Sequence, residues 1–458
     1  MLALKKIGER IVILIIIFSI VGVIYILSIN VIWFTSYTAP LIDLSSKICR
    51  GEVFLEEHYS VYVDVVKYNS NYLFAGPIGL PLVISIPLCF FGISGNQLLI
   101  GGVVVSLYGL ASTVVIYLFT RLYGDRYVLA STLVISLSGL LWIYSSHIFP
   151  QAPLTFSMLL ALYLSVSIVR RGGDELKYLL LGFLSSLTLL MDPMAFLAPL
   201  SLGIIVAIYV AKYHGLRSLL CAFIAWTAGF SPLAAAQALY NVATTGNPFS
   251  FPETLLLVRI GVDGYLGLSV NPLYGLYMLI IDPRKGLIPL YPVLGLGASM
   301  LPRFIASIPD IYERLLLVIF LASYTIPHAM WYDFDGGLSY GPRFLTPITP
   351  ILAPSLQLLL TRRPRLEPLV MVLSALSILT NSVVVTVSPY TCALEEMEFP
   401  SNQFLSCVLP KLVEGVRSSY LYEALKGVLG DVIGFVSAIL ALGIASIILT
   451  AYTLIKKI

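Results

Sequence analysis

Charged residues are scarce in this 458-residue chain. Lysine and arginine together number 27 and aspartate and glutamate 24, so that 11% of the residues are charged, whereas 58% are hydrophobic. A typical soluble domain is about 25% charged and about 45–50% apolar. The scarcity of charge excludes a water-soluble globule, a disordered chain and a nucleic-acid-binding protein. The apolar residues suffice for about a dozen bilayer spans of ~20 residues each.

Cysteines are few and show no metal-binding pattern. None of the five forms a CxxC pair or another spacing typical of metal ligands. Cys89 and Cys221 lie in apolar runs, which predicts that they are buried as small apolar side chains. Cys392 and Cys407 share one polar loop, and they are a candidate disulfide if that loop faces an oxidising compartment.

Twelve apolar runs are long enough to be membrane spans. They cover residues 10–36, 98–120, 127–146, 148–169, 178–193, 194–211, 218–240, 286–302, 312–330, 343–360, 366–388 and 430–455. Two shorter runs, 77–93 and 266–281, are interrupted by Pro, Gly or polar residues. The first run follows the basic segment MLALKKIGER and lacks a small-residue cleavage site, which indicates a signal anchor.

The distribution of basic residues predicts the orientation. If both termini are cytoplasmic and the two shorter runs do not cross, 17 of the 27 basic residues fall on the inner side, in short loops. We therefore expect an all-α polytopic protein with one integral membrane domain, 1–458, and about twelve spans. The two shorter runs become juxtamembrane or re-entrant helices. The long segments then face outward, and they comprise residues 37–97, 241–285, 331–342 and 389–429.

The first outer segment is rich in carboxylates. Asp43, Glu56, Glu57, His58 and Asp64 lie between the first span and a Pro/Gly-rich re-entry. Carboxylates at a membrane surface can act as general bases for a hydroxyl nucleophile or as metal ligands. The alternative is a solvated, interfacial loop. Asp43 is the strongest candidate, because its place at the end of a span fixes its position.

A glycine-rich turn precedes Arg343 at the outer end of a predicted span. An arginine there can form a bidentate pair with a phosphate, or it can extend to lipid headgroups. Nearby, His328, Asp333 and Asp335 form a candidate site for Mg²⁺ or Mn²⁺, although a D-x-D tripeptide is also ordinary loop polarity.

Arg284 and Lys285 are basic residues on the predicted outer side, where basic residues are disfavoured. An anionic, lipid-linked ligand would explain them. Gln151 and Asn241 lie at the outer ends of spans and are candidates for the same cavity, although each alone is more often a cap or turn residue. Charges deep within the spans are essentially absent, which argues against an ion-coupled transporter.

The ordered set of motifs resembles the type C (GT-C) glycosyltransferases, in particular the polyprenyl-phosphate-sugar-dependent enzymes related to protein mannosyltransferases and aminoarabinose transferases. The resemblance covers roughly residues 10–390. The matching positions are Tyr72, Pro77, Gly79, Pro81 and Leu82, then Asn241, Gly246 and Pro248, then Pro283 to Pro289, and finally Gly336 to Leu345.

The resemblance implies inverting transfer of a sugar from a polyprenyl- or dolichyl-phosphate donor to a hydroxyl of a glycan, lipid or protein at the outer face. The family's general base maps onto Asp43, with Asp64 as the rival, because Asp43 lacks the paired residue that the family often carries. The resemblance also implies that Arg343 binds the donor phosphate, together with Arg284 or Lys285. The other candidate substrate-binding residues are Glu57, His58, Tyr72, Gln151 and Asn241.

Two other functions stay open at this point. One is a lipid or sugar translocator, although the spans lack a chain of buried charges. The other is a non-catalytic scaffold protein with a GT-C-like fold, since the acid pair at Asp43 is incomplete. Under any of these functions we expect membrane lipids as partners and no nucleic acid.

Overall fold

The computed structural model describes residues 2–32, 35–91, 96–262, 267–337, 339–388 and 402–457. Most of these residues lie in helices that pack around one large apolar core. The α-helices are α1 (Leu2–Leu27), α2 (Thr38–Ile48), α3 (Gly79–Phe91), α4 (Gln97–Arg121), α5 (Val128–Leu137), α6 (Leu140–Ser145), α7 (Gln151–Arg171), α8 (Glu175–Met191), α9 (Leu197–Thr245), α10 (Pro252–Arg259), α11 (Pro272–Ile280), α12 (Leu287–Leu290), α13 (Pro292–Ser307), α14 (Ile311–Met330), α15 (Leu352–Arg362), α16 (Glu367–Val387), α17 (Leu409–Val413), α18 (Tyr420–Leu429) and α19 (Asp431–Lys456).

Every apolar run predicted from the sequence contains helix. The α9 helix covers two predicted runs. Gly215, which adopts φ 80° and ψ 175°, breaks the helical path between these two runs. The two shorter runs form α3 and α11. Among the described residues, five helical segments are long and apolar enough to cross a bilayer singly: α4, α7, α9, Pro364–Val387 and α19. The count of twelve spans stays a prediction.

Polar side chains fix where several helices begin. The carboxylate of Asp174 accepts a hydrogen bond of 2.9 Å from the backbone N–H of Lys177 at the start of α8. Asp310 does the same for Glu313 at the start of α14, also at 2.9 Å. Each cap satisfies a backbone donor that a helix start would otherwise leave unpaired. These caps mark where α8 and α14 begin after the short loops that precede them.

The predicted outer segment 37–97 contains a β-hairpin, so the expectation of an all-α protein is wrong at this point. Strands β1 (Val65–Tyr68) and β2 (Asn71–Phe74) pair antiparallel. Asn69 and Ser70 form the turn with φ values of 46° and 70°. Positive φ at both central residues is typical of the two-residue turns that match strand twist. An Asn-Ser turn is a weaker sequence signal than Asn-Gly.

A disulfide between Cys49 and Cys89 joins the end of α2 to α3, with the two Cα atoms 5.3 Å apart. The expectation that Cys89 and Cys221 are buried apolar side chains is therefore wrong, because Cys89 is disulfide-bonded and Cys221 is a free, exposed thiol. Cys407 is also disulfide-bonded, whereas Cys392 lies outside the described residues. Because disulfides persist on oxidising sides of membranes, the Cys49–Cys89 bond agrees with an outward placement of residues 37–97.

We expect Lys67 on the outer side of the membrane and Arg363 on the inner side, because basic residues concentrate in the short loops around Arg363. Both side chains are exposed. In a Cys221→Ser background, a membrane-impermeant maleimide should label Lys67→Cys in intact cells, and should label Arg363→Cys only after permeabilisation. Equal labelling of the two positions in intact cells would contradict this orientation.

Candidate functional site

Arg343 begins a short 3₁₀ turn, Arg343–Leu345, after the glycine-rich loop that follows α14. Its guanidinium carbon lies 5.2 Å from the ring centre of Phe149 and 4.8 Å from that of Phe344. Its Nη2 lies 3.6 Å from Oδ2 of Asp333, and the side chain is 19% exposed. Two aromatic rings and one carboxylate therefore surround a cation that is only partly open to solvent.

The loop before Arg343 is held in place by hydrogen bonds from Lys285. The Nζ of this buried lysine donates hydrogen bonds to the backbone carbonyls of Asp335, at 3.0 Å, and Gly337. Burial lowers the pKa of Lys285, and the charge of Asp335 opposes that effect. Gly336 has φ 77°, and a Cβ there would lie 2.8 Å from Cγ of Arg343. Lys285 therefore supports the loop that carries the arginine.

Gln403 fixes the same loop from the other side. Its Oε1 accepts a hydrogen bond of 2.8 Å from the N–H of Gly341, and its Nε2 donates one of 3.1 Å to the carbonyl of Ser339. Its own N–H donates to the carbonyl of Arg284 at 2.8 Å. The Arg284 side chain turns to Asp282, with Nε 3.2 Å from both carboxylate oxygens. Arg284 and Gln403 are therefore supporting residues in this arrangement.

Carboxylates from four separate parts of the chain gather around Arg343. Asp64 precedes β1, Asp192 follows α8, Glu253 lies in the first turn of α10, and Asp333 follows α14. Glu253 interacts electrostatically with Asp192, Asp64 and Arg343, and Asp64 and Asp333 each interact with Arg343 as well. The folded chain thus builds one acidic site around a single arginine.

The environment shifts the protonation of these carboxylates. Burial raises the pKa of Glu253 to about 8, the charges of Asp192 and Asp64 raise it further, and Arg343 opposes the shift. Burial raises the pKa of Asp333 to about 6 against the charge of Arg343. Burial also raises the pKa of Asp64, opposed by the Ser36 hydroxyl, which donates to Oδ2 at 3.0 Å. Near neutral pH, Glu253 is therefore mostly uncharged.

Asp192 is held by hydrogen bonds from its own loop and from α14. Its Oδ1 accepts from the backbone N–H groups of Met194, at 2.9 Å, and Ala195, at 3.1 Å. His328 Nε2 lies 3.0 Å from Oδ2 of Asp192, and Nδ1 lies 2.8 Å from the carbonyl of Tyr324. Both ring nitrogens of His328 therefore lie within hydrogen-bond distance of an oxygen atom. Asp192 and His328 therefore form a hydrogen-bonded pair.

The proposed metal ligands do not share one site. His328 is engaged by Asp192, Asp333 lies beside Arg343, and Asp335 lies 3.7 Å from Nζ of Lys285. Within the described ranges, no group of three or more His, Cys, Asp or Glu side chains is arranged to hold a metal ion. The combination of His328, Asp333 and Asp335 therefore does not fit a divalent cation in this arrangement.

Asp43 belongs to a different cluster. Its Oδ2 lies 3.7 Å from Nζ of Lys47, which also lies 3.6 Å from Oε1 of Glu56. His58 Nδ1 lies 3.4 Å from Oε2 of Glu56. Burial raises the pKa of Asp43, and Lys47 opposes this. The charged neighbours that shift Asp43 are Lys47, Glu56, His58 and Arg50, so the structure groups Asp64, rather than Asp43, with Arg343.

The remaining predicted substrate-binding residues are dispersed. Tyr72 donates a hydrogen bond of 3.1 Å to Oε1 of Glu57 on the exposed side of the hairpin. Asn241 is fully buried, and its Nδ2 donates to the carbonyl of Pro248 at 2.8 Å, so it closes the turn after α9. Gln151 is buried at the start of α7. None of these contacts joins them to Arg343.

Sequence reasoning missed Glu253 and Gln403. Glu253 is one acid in the outer segment 241–285, and the only available signal was its place after the Phe-Pro that starts α10. Gln403 is uncharged and lies 62 residues from its partner Gly341, so no local pattern indicates its role. Both residues become evident only through long-range contacts.

No family model matches the sequence, and no curated protein sequence does. Solved structures do match. The crystal structure of ArnT from Cupriavidus metallidurans bound to undecaprenyl phosphate is similar with a TM-score of 0.59 at 13% identity, over 98% of this chain and 78% of that one. The apo crystal structure of the same ArnT gives a TM-score of 0.56 at 14% identity, over 97% and 77%.

The likeness to ArnT extends over nearly the whole chain, so it includes the segments that carry the carboxylates and Arg343. At this identity the similarity establishes the fold. The chain thus has the fold of that ArnT, and several of its helices are long and apolar enough to cross a membrane, which confirms at the level of the fold the resemblance predicted from its motifs.

Proposed function

We propose that this protein is an inverting glycosyltransferase that moves a sugar from a polyprenyl-phosphate donor to a hydroxyl acceptor at the outer membrane surface. The observation that supports the proposal most strongly is that Arg343 lies among four carboxylates. Because one fold can serve several chemistries, the argument rests on this site and uses the fold as support. The fold supports it because ArnT was solved with undecaprenyl phosphate bound.

Arg343 is the proposed ligand of the donor phosphate. A guanidinium offers two parallel donors to a phosphate, which an ammonium does not. Asp333 orients the guanidinium from 3.6 Å, a distance longer than the 2.7–2.9 Å typical of charge-assisted hydrogen bonds, so a phosphate can compete for it. Lys285 supports the glycine-rich loop that precedes Arg343.

The charge balance of the site permits an anionic ligand. Four ionised carboxylates around one arginine would repel a phosphate. However, Glu253 is mostly protonated near neutral pH, because burial raises its pKa to about 8. Asp192 is hydrogen-bonded to His328, with Nε2 3.0 Å from Oδ2. Arg343 opposes the charges of Asp64 and Asp333.

Asp64 is the proposed general base, in preference to Asp43. The base and the phosphate ligand must act on the same donor molecule, and Asp64 is the one of the two that interacts with Arg343. Burial raises the pKa of Asp64, which makes it a stronger base than an exposed aspartate. The Ser36 hydroxyl holds its carboxylate in place at 3.0 Å.

The proposed step is an in-line substitution at the anomeric carbon. The acceptor oxygen forms a bond to this carbon as its proton passes to Asp64. The bond between the anomeric carbon and the donor phosphate oxygen breaks, and the electron pair leaves with the phosphate beside Arg343. Stabilising this developing charge lowers the barrier. The product is a glycosylated acceptor with inverted configuration and a free polyprenyl phosphate.

We predict that Asp64→Asn lowers turnover by about 10²–10⁴, because it removes the proton acceptor. The amide oxygen can still accept from Ser36, so folding and donor binding should persist. The measurement is transfer of radiolabelled sugar from a panel of polyprenyl-phosphate sugars by the purified protein. Release of sugar to water or to an acceptor also separates an enzyme from a translocator or a scaffold.

Asp43→Asn is the matched control, since Asp43 is also a partly buried aspartate in the same outer segment. It should retain most of the wild-type turnover. The assignment is wrong if Asp43→Asn is inactive while Asp64→Asn keeps full turnover. In that case, the base lies in the cluster around Lys47.

Arg343→Lys should weaken binding of undecaprenyl phosphate by about tenfold or more, since a hydrogen bond to a charged group contributes about 1.5–3 kcal/mol. Arg343→Ala should weaken it further. Arg365→Lys, at an exposed arginine on the predicted inner side, is the control and should leave affinity unchanged. Unchanged affinity in both Arg343 variants would show that this side chain contacts only lipid headgroups.

A further inference from the structure

A cleft of about 450 Å³ opens between the β1–β2 hairpin and α10. One wall carries Lys67, Tyr68 and Tyr72, and the other carries Leu255, Val258 and Arg259. Its size lies within the range of small-molecule sites, about 300–1,000 Å³. The cleft is distinct from the surroundings of Arg343, and the function proposed above does not use it.

A small apolar cluster holds the two walls together. Val66, Leu73 and Ala75 of the hairpin segment pack against Leu256 of α10, apart from the main core. In addition, Nη1 of Arg259 donates a hydrogen bond of 2.5 Å to the backbone carbonyl of Val65. The hairpin and α10 are therefore joined into one outer unit, and the cleft has fixed walls.

The same two elements also carry residues of the reaction site. Asp64 directly precedes β1, and its backbone carbonyl accepts a hydrogen bond of 2.8 Å from the N–H of Ala75 at the base of the hairpin. Lys67 lies three residues beyond Asp64, or about 10 Å along a strand. Glu253 lies six residues before Arg259 on α10, or about 9 Å along a helix. The cleft therefore lies on the same hairpin and the same helix that position Asp64 and Glu253.

The cleft is basic and aromatic. Lys67 and Arg259 are its charged residues, and none of the described residues that line it is acidic. The Nζ of Lys67 lies 5.5 Å from the ring centre of Tyr72. Aromatic rings have a negative face that attracts the weakly positive C–H groups of a sugar. The two cations add a preference for a carboxylate or phosphate group.

We propose that this cleft binds the acceptor, and that the acceptor is an acidic glycan whose carboxylate or phosphate pairs with Lys67 and Arg259 while a neighbouring sugar presents its hydroxyl to Asp64. This inference rests on the glycosyltransferase function proposed above. It specifies the substrate class, because a neutral glycan gains nothing from the two cations. It also assigns a function to Tyr72 separate from donor binding.

Direct binding of oligosaccharides tests the cleft without any donor. The probes are a glucuronate-containing tetrasaccharide and its neutral counterpart, in which each carboxylate is reduced to an alcohol. The purified full-length protein should bind the acidic probe more tightly, and the difference should shrink as salt screens the exposed charges. Lys67→Glu should weaken binding of the acidic probe by about tenfold, because it replaces an attraction with a repulsion, and should leave the neutral probe unchanged.

Lys426→Glu is the matched control. Lys426 is exposed on a predicted outer segment, and its Nζ also lies 5.5 Å from a tyrosine ring, that of Tyr422. The Lys426→Glu protein should bind both probes with the same affinity as the wild type. Equal affinity of the wild type for the two probes, or an equal effect of Lys67→Glu and Lys426→Glu, would overturn the proposal.

Two further readouts separate the remaining outcomes. Retention of phosphatidylglycerol, followed by native mass spectrometry, should be the same in the wild type and in Lys67→Glu. A loss of lipid without a loss of oligosaccharide would mean that the cleft binds headgroups, and the proposal would be wrong. Binding of undecaprenyl phosphate should not change in Lys67→Glu. If the wild type fails to bind that donor lipid yet binds the acidic probe, the proposal that Arg343 binds the donor phosphate is wrong, whereas the proposal that the cleft binds an acidic glycan is supported.

Discussion

Arg343 carries a positive charge in a site where two aromatic rings and the surrounding loops exclude much of the water. Placing a charge in such a site costs several kcal/mol unless opposite charges and hydrogen bonds compensate for it. The nearby carboxylates provide that compensation, and Asp333 at 3.6 Å is an ion-pair partner. The arginine in turn limits how far burial raises the pKa of Asp64, Glu253 and Asp333. The charges of the site therefore depend on each other.

The fold delivers these groups from distant parts of the chain. Asp64, Asp192, Glu253 and Asp333 follow or begin separate elements, so the helices act as a scaffold whose loops meet at one surface. Lys285 and Gln403 use buried hydrogen bonds to fix the glycine-rich loop before Arg343. The site can thus keep an arginine in place while its neighbours titrate, which a mobile surface loop would not do.

The sequence predicted the architecture well, because helix formation in a membrane follows from local apolar runs. Each run contains helix, and even the break at Gly215 separates two predicted runs. The resemblance was also correct at the level of the fold, since the likeness to ArnT covers 98% of this chain. Arg343 was singled out for a local reason, its position after a glycine-rich turn.

Features that depend on distant contacts were not predictable. Cys49 and Cys89 lie 40 residues apart, and their pairing requires that α2 and α3 pack together. The preference for Asp43 over Asp64 rested on the short distance of Asp43 from a predicted span. In the structure, however, Asp64 is the aspartate that interacts with Arg343, and it directly precedes a β-hairpin that the apolar pattern does not reveal. The raised pKa of Glu253 arises from burial and from two carboxylates on other elements, so it could not be predicted from its neighbours in sequence.

The most direct measurement of the central claim is an experimental structure of the protein with undecaprenyl phosphate. The account predicts phosphate oxygens within about 2.7–2.9 Å of the Arg343 guanidinium nitrogens, with the Asp64 carboxylate on the open side of the same site and the polyprenyl tail along the apolar helices. A phosphate bound at Lys47 beside Asp43, with Arg343 still turned to Asp333 and distant from the lipid, would contradict it.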